Sequence, residues 1–334
     1  MALTIGTRLG PYELRSQIGA GGMGVVYEAQ PPVGDRVAVK LLQGQRLHDE
    51  RAVRRFHDEG TAGSIVVHPN VVSTLAQGET EDGVPFLVMK RVCGEPLGIR
   101  IQRDGPPSLR RGIELVQQIL AGVDAMHAAG IVHGDLKSDN VLIERRADGT
   151  DVPMVIDFGL AHVQFCAEDV RRPQPGEELV SGTPDYMAPE VIRGEGSSRA
   201  SDLYAVGVIL YETITGSTPF QGGTPGEIVR RHLFDPVVPP SLRRTAVPAV
   251  LERIVMRALE KQPALRFESA AAFAAALALA SPSLENEPSD VPIGKISREA
   301  PTLDWNWVRG LHYPGRGRFR DPDTAHRSCP KPRR

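Results

Sequence analysis

The stretch between residues 133 and 159 decides the fold. It begins with His133-Gly134-Asp135-Leu136-Lys137-Ser138-Asp139-Asn140, continues directly into the apolar run Val141-Leu142-Ile143, and ends with Val155-Ile156-Asp157-Phe158-Gly159. Each of its two polar clusters therefore adjoins a run with the composition of a β-strand.

The two clusters supply the residue types that phosphoryl transfer requires. Asp135 offers a carboxylate that can orient a hydroxyl and take its proton, and Lys137 offers a cation for the transferring phosphate. Asn140 and Asp157 offer oxygen ligands for Mg²⁺. Asp and Asn more often occupy turns and caps, so each residue alone carries little weight. The whole set in this order indicates phosphoryl transfer.

A glycine-rich stretch lies upstream. Gly19-Ala20-Gly21-Gly22-Met23-Gly24 precedes Val26, and its missing side chains let backbone N–H groups approach phosphate oxygens. Residues 25–29 and 37–40 both have strand character and are joined by a Pro/Gly/Asp turn at 31–35, whereas a dinucleotide-binding loop would lead from a strand into a helix. We therefore predict a hairpin over phosphates and not a Rossmann fold.

Lys40 ends the apolar run Val37-Ala38-Val39. An ammonium in apolar surroundings needs an anionic partner, because burial otherwise lowers its pKa. Glu59, on the next predicted helix, is the candidate partner. The alternative is a solvent-exposed lysine, and the apolar run argues against it.

Composition excludes several other classes of protein. The chain has 334 residues, 41% hydrophobic and 24% charged, with a formal net charge of −2, which is typical of a soluble globular protein and not of a nucleic-acid binder. Its three cysteines have no metal-ligand spacing, which predicts reduced thiols and a cytoplasmic location. The longest apolar run, at 270–280, is shorter than the roughly 20 residues of a membrane span and is predicted to be a core helix.

Composition also divides the chain into three parts. Residues 10–92 favour short strands with one helix at about 48–64, whereas residues 93–280 show the three-four spacing of amphipathic helices. Residues 281–334 are rich in Pro, Ser, Asp, Glu and Arg without periodicity, which predicts a mostly disordered tail. The prediction is an α+β protein with a small β-rich lobe and a larger helical lobe.

With these motifs in this order, the sequence resembles the Hanks-type serine/threonine protein kinases, in particular their bacterial eukaryotic-like group. The wording Gly21-Gly22-Met23-Gly24-Val25-Val26-Tyr27 is common there, and Ala188-Pro189-Glu190 is also present. The resemblance covers roughly residues 10–280. It implies the two-lobed protein kinase fold with an antiparallel small-lobe sheet, and transfer of the ATP γ-phosphate to Ser or Thr hydroxyls of proteins with Mg²⁺, or Mn²⁺, as the metal.

The resemblance also implies catalytic roles. Lys40, paired with Glu59, would hold the α- and β-phosphates, Asp135 would be the catalytic base, and Lys137 would contact the γ-phosphate. Thr183 would bridge the catalytic aspartate and lysine, as in kinases that act on Ser and Thr.

Further roles follow by motif. Asn140 and Asp157 would be the metal ligands, Asp202 would brace the catalytic-loop backbone, and Glu190 would form a buried ion pair with Arg266. Val26 and Ala38 would pack against the adenine, Met89 would be the gatekeeper, and the backbones of Lys90 and Val92 would face the adenine. The residues expected to enclose the nucleotide are Ile18, Gly19, Gly21, Gly24, Val26, Ala38, Lys40, Met89, Lys90, Val92 and Leu142.

The sequence departs from the family pattern at four positions. Lys90 replaces an acidic residue common at the start of the hinge, and we expect little effect on ATP binding because the contact there is through the backbone. Gly134 replaces an arginine that receives a phosphate on the activation segment, and residues 160–180 contain no Ser, Thr or Tyr, so we expect that segment not to depend on its own phosphorylation. Gly63 replaces a bulky apolar residue, so we expect the helix of Glu59 to be mobile. Ser138 replaces a frequent proline, a change that we expect to be tolerated.

Two other functions are considered. A pseudokinase, acting as a nucleotide-binding scaffold, is favoured by Gly134 and Gly63 but opposed by the presence of Lys40, Asp135 and Asp157. A small-molecule kinase would share the catalytic carboxylates but would not be expected to carry the Gly-Thr-Pro to Ala-Pro-Glu stretch that seats a peptide.

The expected partners are protein substrates with Ser or Thr acceptors. If the helix of Glu59 is mobile, a homodimer of the small lobe or an activating partner would activate the protein. Any signal is expected to arrive by a soluble route. Residues 309–334 carry eight Lys or Arg against two Asp, a net charge of +6. Such a run is more often a solvated end than a nucleic-acid site, so nucleic acid is not an expected partner.

Overall fold

The computed structural model describes residues 4–21, 24–157, 162–163 and 184–280. The N-terminal strands are β1 (Arg8–Leu9), β2 (Tyr12–Gly21), β3 (Gly24–Gln30), β4 (Val37–Leu42), β5 (Thr74–Glu79) and β6 (Pro85–Lys90). They form one antiparallel sheet in the order β1-β2-β3-β4-β6-β5. The predicted hairpin of β3 and β4 is therefore present.

The register of this sheet places the predicted nucleotide-facing residues on one face. Val26 of β3 lies opposite Lys40 of β4, and Ala38 of β4 lies opposite Met89 of β6. Because alternate residues of a strand point to the same side, Ala38 and Lys40 share a face with Val26 and Met89. β4 is buried along its whole length, which its β-branched and leucine side chains favour.

Helix α1 (Glu50–Ile65) is the only α-helix between β4 and β5 in the described part of the chain, and it begins at Asp49, whose side chain accepts a hydrogen bond from the backbone N–H of Arg51. It packs against β5 and β6 through two glycines. A Cβ at Gly60 would lie 2.4 Å from Leu87 Cδ2, and a Cβ at Gly63 would lie 2.3 Å from Thr74 Oγ1. The missing side chain of Gly63 therefore allows a close approach of the helix to the sheet, and the expectation that this helix is mobile stays a prediction.

The C-terminal region is built on helices. They are α2 (Leu97–Asp104), α3 (Leu109–Ala128), α4 (Pro189–Ile192), α5 (Arg199–Thr215), α6 (Pro225–Phe234), α7 (Ala249–Ala258) and α8 (Ala270–Ala280). Helix α5 is central, since its residues from Ser201 to Ile214 are all buried. Helix α8 buries Phe273 and Leu277 against α3, which confirms the predicted core helix.

Short strands connect the two regions. They are β7 (Gly94–Pro96), β8 (Ile131–Val132), β9 (Val141–Arg145), β10 (Asp151–Val155) and β11 (His162–Val163). β9 pairs with β7 and β10, and β8 pairs with β11. The buried Asn70, just before β5, donates through Nδ2 to Pro153 O on β10 at 2.9 Å. This hydrogen bond joins the segment before β5, in the sheet region, to β10, in the helical region.

The observed architecture confirms the predicted α+β fold with two lobes. Across the described ranges, no helix combines the length and the hydrophobicity that a bilayer-spanning segment needs. The predicted tail at 281–334 lies outside the described residues.

Candidate active site

A buried lysine joins two carboxylates between the lobes. Lys40 Nζ on β4 lies 2.6 Å from Glu59 Oε1 on α1 and 2.7 Å from Asp157 Oδ1, just after β10. Lys40 is 6% exposed and Glu59 is 2% exposed. The structure thus brings together the pair that the sequence suggested, and it adds Asp157 to the pair.

The electrostatics of this cluster follow from burial and charge. Burial would lower the pKa of Lys40, but the negative charges of Asp157 and Glu59 hold it above its ordinary value. Burial likewise favours the neutral form of Asp157, yet the positive charge of Lys40 lowers the pKa of that carboxyl to about 2. Burial raises the pKa of Glu59 against the attraction of Lys40. Asp157 is consequently the carboxylate most firmly held in its ionised form.

Asp157 also has an unusual backbone. Its φ is 66°, the only positive φ of a non-glycine residue within the described part of the chain. This left-handed conformation costs an L-residue about 1–2 kcal/mol. The neighbouring Ile156 N donates to Asn140 O at 2.9 Å, so the segment is tied to the catalytic loop. Backbone strain at this point directs the carboxylate toward Lys40.

A cluster of polar side chains at residues 133–140, the predicted catalytic loop, immediately precedes β9. Lys137 Nζ donates to Asp135 Oδ2 at 2.7 Å, and Asn140 Nδ2 donates to Asp135 O at 2.8 Å. Since the amide nitrogen of Asn140 is engaged with Asp135, its amide oxygen is the atom left to bind a cation. Asp135 N donates to Nδ1 of the buried His133 at 3.2 Å, which holds the loop turn.

Asp202, near the start of α5, holds the backbone of the same loop through hydrogen bonds. It is 1% exposed and accepts from the backbone N–H groups of His133 and Gly134, each at 2.9 Å. His127 Nε2 lies 2.8 Å from Asp202 Oδ2, the oxygen that also accepts from His133 N. Burial would raise the pKa of Asp202, but the hydrogen bond and positive charge of His127 keep it below its ordinary value. An ionised carboxylate is therefore available to orient the loop.

The glycine-rich hairpin is formed by β2 and β3. Gly19 pairs with Val26, and Gly21 pairs with Gly24, while residues 22 and 23 lie outside the described residues. A Cβ at Gly24 would lie 1.9 Å from the backbone oxygen of Leu41, so this position excludes every other residue.

Three of the residues expected to enclose the nucleotide, Met89, Val92 and Leu142, meet in one apolar cluster. Leu142 on β9 is buried with Met154, and Met89 and Val92 pack against them. Leu142 therefore shares this cluster with Met89, which lies opposite Ala38 in the sheet. Of the other expected nucleotide contacts, Ile18 lies on β2, and Lys90 ends β6.

The predicted ion pair of the helical lobe is present. Arg266 Nη1 and Nη2 donate to the two carboxylate oxygens of Glu190 at 2.6 and 2.7 Å, and both residues are buried. Thr183, predicted to bridge Asp135 and Lys137, lies outside the described residues.

Sequence analysis missed two sets of supporting residues. One is His127, a partner of Asp202. The other is a buried contact between Ser138, Tyr186 and Glu212. A glutamate inside the otherwise apolar run 203–214 was the available signal for Glu212, because a carboxylate in a core helix needs a hydrogen-bond partner.

Asn140 and Asp157 fit a divalent cation. Both offer oxygen donors of the kind that Mg²⁺ prefers, and Asp157 is ionised at neutral pH. Within the described ranges there is no group of three or more His, Cys, Asp or Glu side chains suited to a metal. A cation at this position would take its remaining ligands from phosphate oxygens and water.

Comparison with known proteins agrees with this geometry. The protein kinase domain model matches residues 12–275. The chain is 40% identical over 274 residues to serine/threonine-protein kinase pkn3 of Myxococcus xanthus, covering 80% of this chain and 49% of the relative. It is 36% identical over 284 residues to serine/threonine-protein kinase PknA of Mycobacterium tuberculosis, covering 83% of this chain and 63% of the relative. It thus spans about half to two thirds of the length of these relatives.

A solved structure shows the same fold. The crystal structure of the PknI kinase domain of Mycobacterium tuberculosis, a C20A mutant, superposes with a TM-score of 0.64 at 24% sequence identity. The superposition covers 84% of this chain and 99% of that domain. On the family match, the chain belongs to the protein kinase family, and the relatives that it resembles are named as bacterial serine/threonine-protein kinases.

Proposed function

We propose that the chain transfers the γ-phosphate of ATP to Ser and Thr hydroxyls of protein substrates in bacterial signalling. The observation that carries this proposal is the buried contact of Lys40 with both Glu59 and Asp157. This contact aligns a strand, a helix and the segment after β10 around one ammonium, and a merely structural lysine does not need two carboxylates from separate elements.

The residues divide the work of the transfer. Lys40 would hold the α- and β-phosphates, and Lys137, 2.7 Å from Asp135, would offset charge on the γ-phosphate. Asp135 would orient the acceptor hydroxyl and accept its proton as the acceptor oxygen bonds to the γ-phosphorus and the bond to the β-γ bridging oxygen breaks. ADP is the leaving group, so atoms and charge balance. Thr183 would hold Asp135 and Lys137 in register.

A divalent cation, Mg²⁺ or Mn²⁺, would supply neutralisation of phosphate charge when bound. Asn140 and Asp157 would hold it. The low pKa of Asp157, about 2, keeps that carboxylate ready to bind without first losing a proton. The cluster of Lys40, Glu59 and Asp157 has a net charge of −1 when all three are ionised, which favours a cation beside it.

The adenine would lie between the two lobes. Ile18, Val26 and Ala38 would cover it from the sheet and Leu142 from below, while Met89 would close the inner end. Gly19, Gly21 and Gly24 would place backbone N–H groups over the phosphates. The backbones of Lys90 and Val92 would bond to the adenine edge. We assign residues 10–92 and 93–280 to the two lobes on either side of this cleft.

Two further aspects belong to the same proposal. The kinase would act in the cytoplasm, and a small-lobe homodimer or an activating partner would set the position of α1. The proposal that activation does not need phosphorylation of residues 160–180 is supported by Gly134, whose φ of 76° suits glycine in place of a phosphate-binding arginine.

A direct assay of phosphate transfer distinguishes a kinase from a pseudokinase. Purified protein, labelled ATP, Mg²⁺ and casein as acceptor should give labelled casein, and Asp135→Asn should lower the rate by at least about 10²-fold. Isothermal titration with an ATP analogue should show similar nucleotide affinity for both proteins. If the unmodified chain bound nucleotide but transferred no phosphate to casein, the result would favour a nucleotide-binding scaffold over a kinase.

A further inference from the structure

Ser138 makes a buried hydrogen bond that a proline could not make. Its Oγ lies 2.8 Å from Tyr186 Oη, and Tyr186 Oη donates to Glu212 Oε2 at 2.7 Å. The three residues are 2%, 9% and 5% exposed. They belong to the catalytic loop, to the turn Pro184–Tyr186 before α4, and to α5. The chain of hydrogen bonds thus joins three separate elements.

The proton positions follow from the donor count. A tyrosine hydroxyl has one proton, and the proton of Tyr186 is directed to the carboxylate of Glu212. The hydroxyl of Ser138 must therefore be the donor to Tyr186. Because the contacts are buried, removing one donor leaves an unsatisfied oxygen, which costs more than the loss of an exposed hydrogen bond.

The carboxyl group of Glu212 lies in surroundings that disfavour its ionised form. Burial raises the pKa of Glu212 to about 7, while the hydrogen bond from Tyr186 lowers it, and the negative charges of Asp139 and Asp185 add to the upward shift. The hydroxyl of Tyr186 thus stabilises the ionised form of Glu212, and Ser138 acts on Glu212 through Tyr186.

Helix α2 covers Ser138 from the other side. A Cβ placed on Gly98 would lie 2.5 Å from Ser138 Oγ. Gly98 therefore leaves the space in which the hydroxyl can reach Tyr186, and any larger residue there would displace that oxygen.

We propose that Ser138 is a positioning residue that couples the catalytic loop to the peptide-binding segment through Tyr186 and Glu212. This rests on the proposed kinase function, in which the stretch from Thr183 to Glu190 seats the acceptor peptide. Ser138 follows Asp135 by three residues, so its bond to Tyr186 sets the distance between the catalytic carboxylate and the acceptor hydroxyl. Lys40, the proposed phosphate contact, bonds to Glu59 and Asp157 and makes no hydrogen bond with Ser138 within the described residues, so we expect the affinity for ATP to depend little on this bond.

The test compares Ser138→Ala, Tyr186→Phe and the double variant. With casein as acceptor, each single variant should lose about tenfold in kcat/KM for casein and keep KM for ATP within about twofold. The double variant should lose little more than either single variant, because both changes break the same chain. Gly98→Ala should reproduce the loss by displacing the hydroxyl.

Thr213→Val is the matched control. Thr213 is buried beside Glu212, and its hydroxyl donates only within α5, to Ile209 O at 2.7 Å. It should alter thermal stability without the selective loss toward casein. Unchanged casein kinetics in Ser138→Ala, or additive losses in the double variant, would overturn the positioning role. An inactive unmodified chain would instead contradict the proposed kinase function.

Discussion

The ammonium of Lys40 lies 2.7 Å from Oδ1 of Asp157, although the two residues are 117 positions apart in the sequence. This contact crosses the cleft from the sheet lobe to the helical lobe. Glu59 holds the same ammonium from α1, at 2.6 Å. The position of Lys40 therefore depends on both lobes and on the helix, so it responds to any displacement of these elements.

Replacement of Lys40 by methionine should abolish transfer and destabilise the fold. Glu59 and Asp157 would face each other in a buried site without a counter-charge, a loss of about 3–5 kcal/mol for a broken buried pair. Transfer should fall by at least about 10²-fold. Urea unfolding and labelled-phosphate transfer measure the two effects.

A second substitution separates the two effects. Lys40→Met combined with Glu59→Leu should recover part of the lost stability, because an apolar pair can replace a buried ion pair, but it should not recover transfer. Arg230→Met is the control, since Arg230 is exposed on α6 and pairs only with Asp235 among the described residues. Equal recovery of stability and transfer would show that Lys40 is structural.

The packing of α1 through Gly63 leads to a prediction that sequence alone could not give. Gly63→Ala would place a Cβ 2.3 Å from Thr74 Oγ1 and should lower the free energy of unfolding by about 1–3 kcal/mol. Thr74→Ala should rescue this loss, because it removes the colliding atom. Urea unfolding of the two single variants and the double variant checks the coupling, and additive effects would contradict it.

Hydrogen exchange tests whether the same helix is mobile. If the close approach of α1 to β5 governs its dynamics, amides at 50–65 in the isolated protein should be protected to nearly the same degree as those of β4. Rapid exchange across 50–65 would instead support the expectation that this helix needs a partner to become ordered.

The site residues that belong to motifs were predicted from the sequence, whereas several residues that hold them in place, such as His127 and Glu212, were not. The lobes and the Lys40–Glu59 pair follow from local composition and from an ammonium that needs an anion. The third member, Asp157, was placed only as a metal ligand, because its approach to Lys40 depends on how two lobes meet. The close contact of α1 with β5 at Gly63 was not predicted for the same reason, since a missing side chain can indicate either a gap or a close contact.

Gly134 should make the kinase insensitive to phosphatase. Residues 160–180 contain no Ser, Thr or Tyr, and Gly134 lacks the guanidinium that would bind a phosphate there. Phosphatase-treated protein should keep its rate of transfer to casein within about twofold. Loss of activity that maps to Ser181 or Thr183, which lie outside the described residues, would contradict this prediction.

The backbone at Gly134 permits a further measurement. Its φ of 76° is unfavourable for any residue with a Cβ, so Gly134→Ala should cost about 1–2 kcal/mol in urea unfolding. Gly130→Ala, with φ 75° just before β8, is a matched control for backbone cost alone. Only the change at Gly134 should also reduce transfer, because strain at that residue would displace the backbone N–H that donates to Asp202.

His232 on α6 should make the fold lose stability in acid. It is fully buried, its Nδ1 lies 2.8 Å from Tyr204 Oη, and within the described residues its Nε2 has no hydrogen-bond partner. Burial, with Lys261 adding repulsion, lowers its pKa from 6.5 to about 3. Between these values the unfolded chain binds a proton that the folded chain does not, so stability should fall as pH falls, by up to about 1.4 kcal/mol per unit.

His232→Asn isolates this contribution. The asparagine amide can still bond to Tyr204 but does not titrate, so the variant should be less stable at pH 7 and should lose less stability than the unmodified chain between pH 6.5 and 4. His48→Asn, at an exposed position before α1, should leave the pH dependence unchanged. Parallel stability curves for His232→Asn and the unmodified chain over this range would show that the buried imidazole is not the acid-sensitive group.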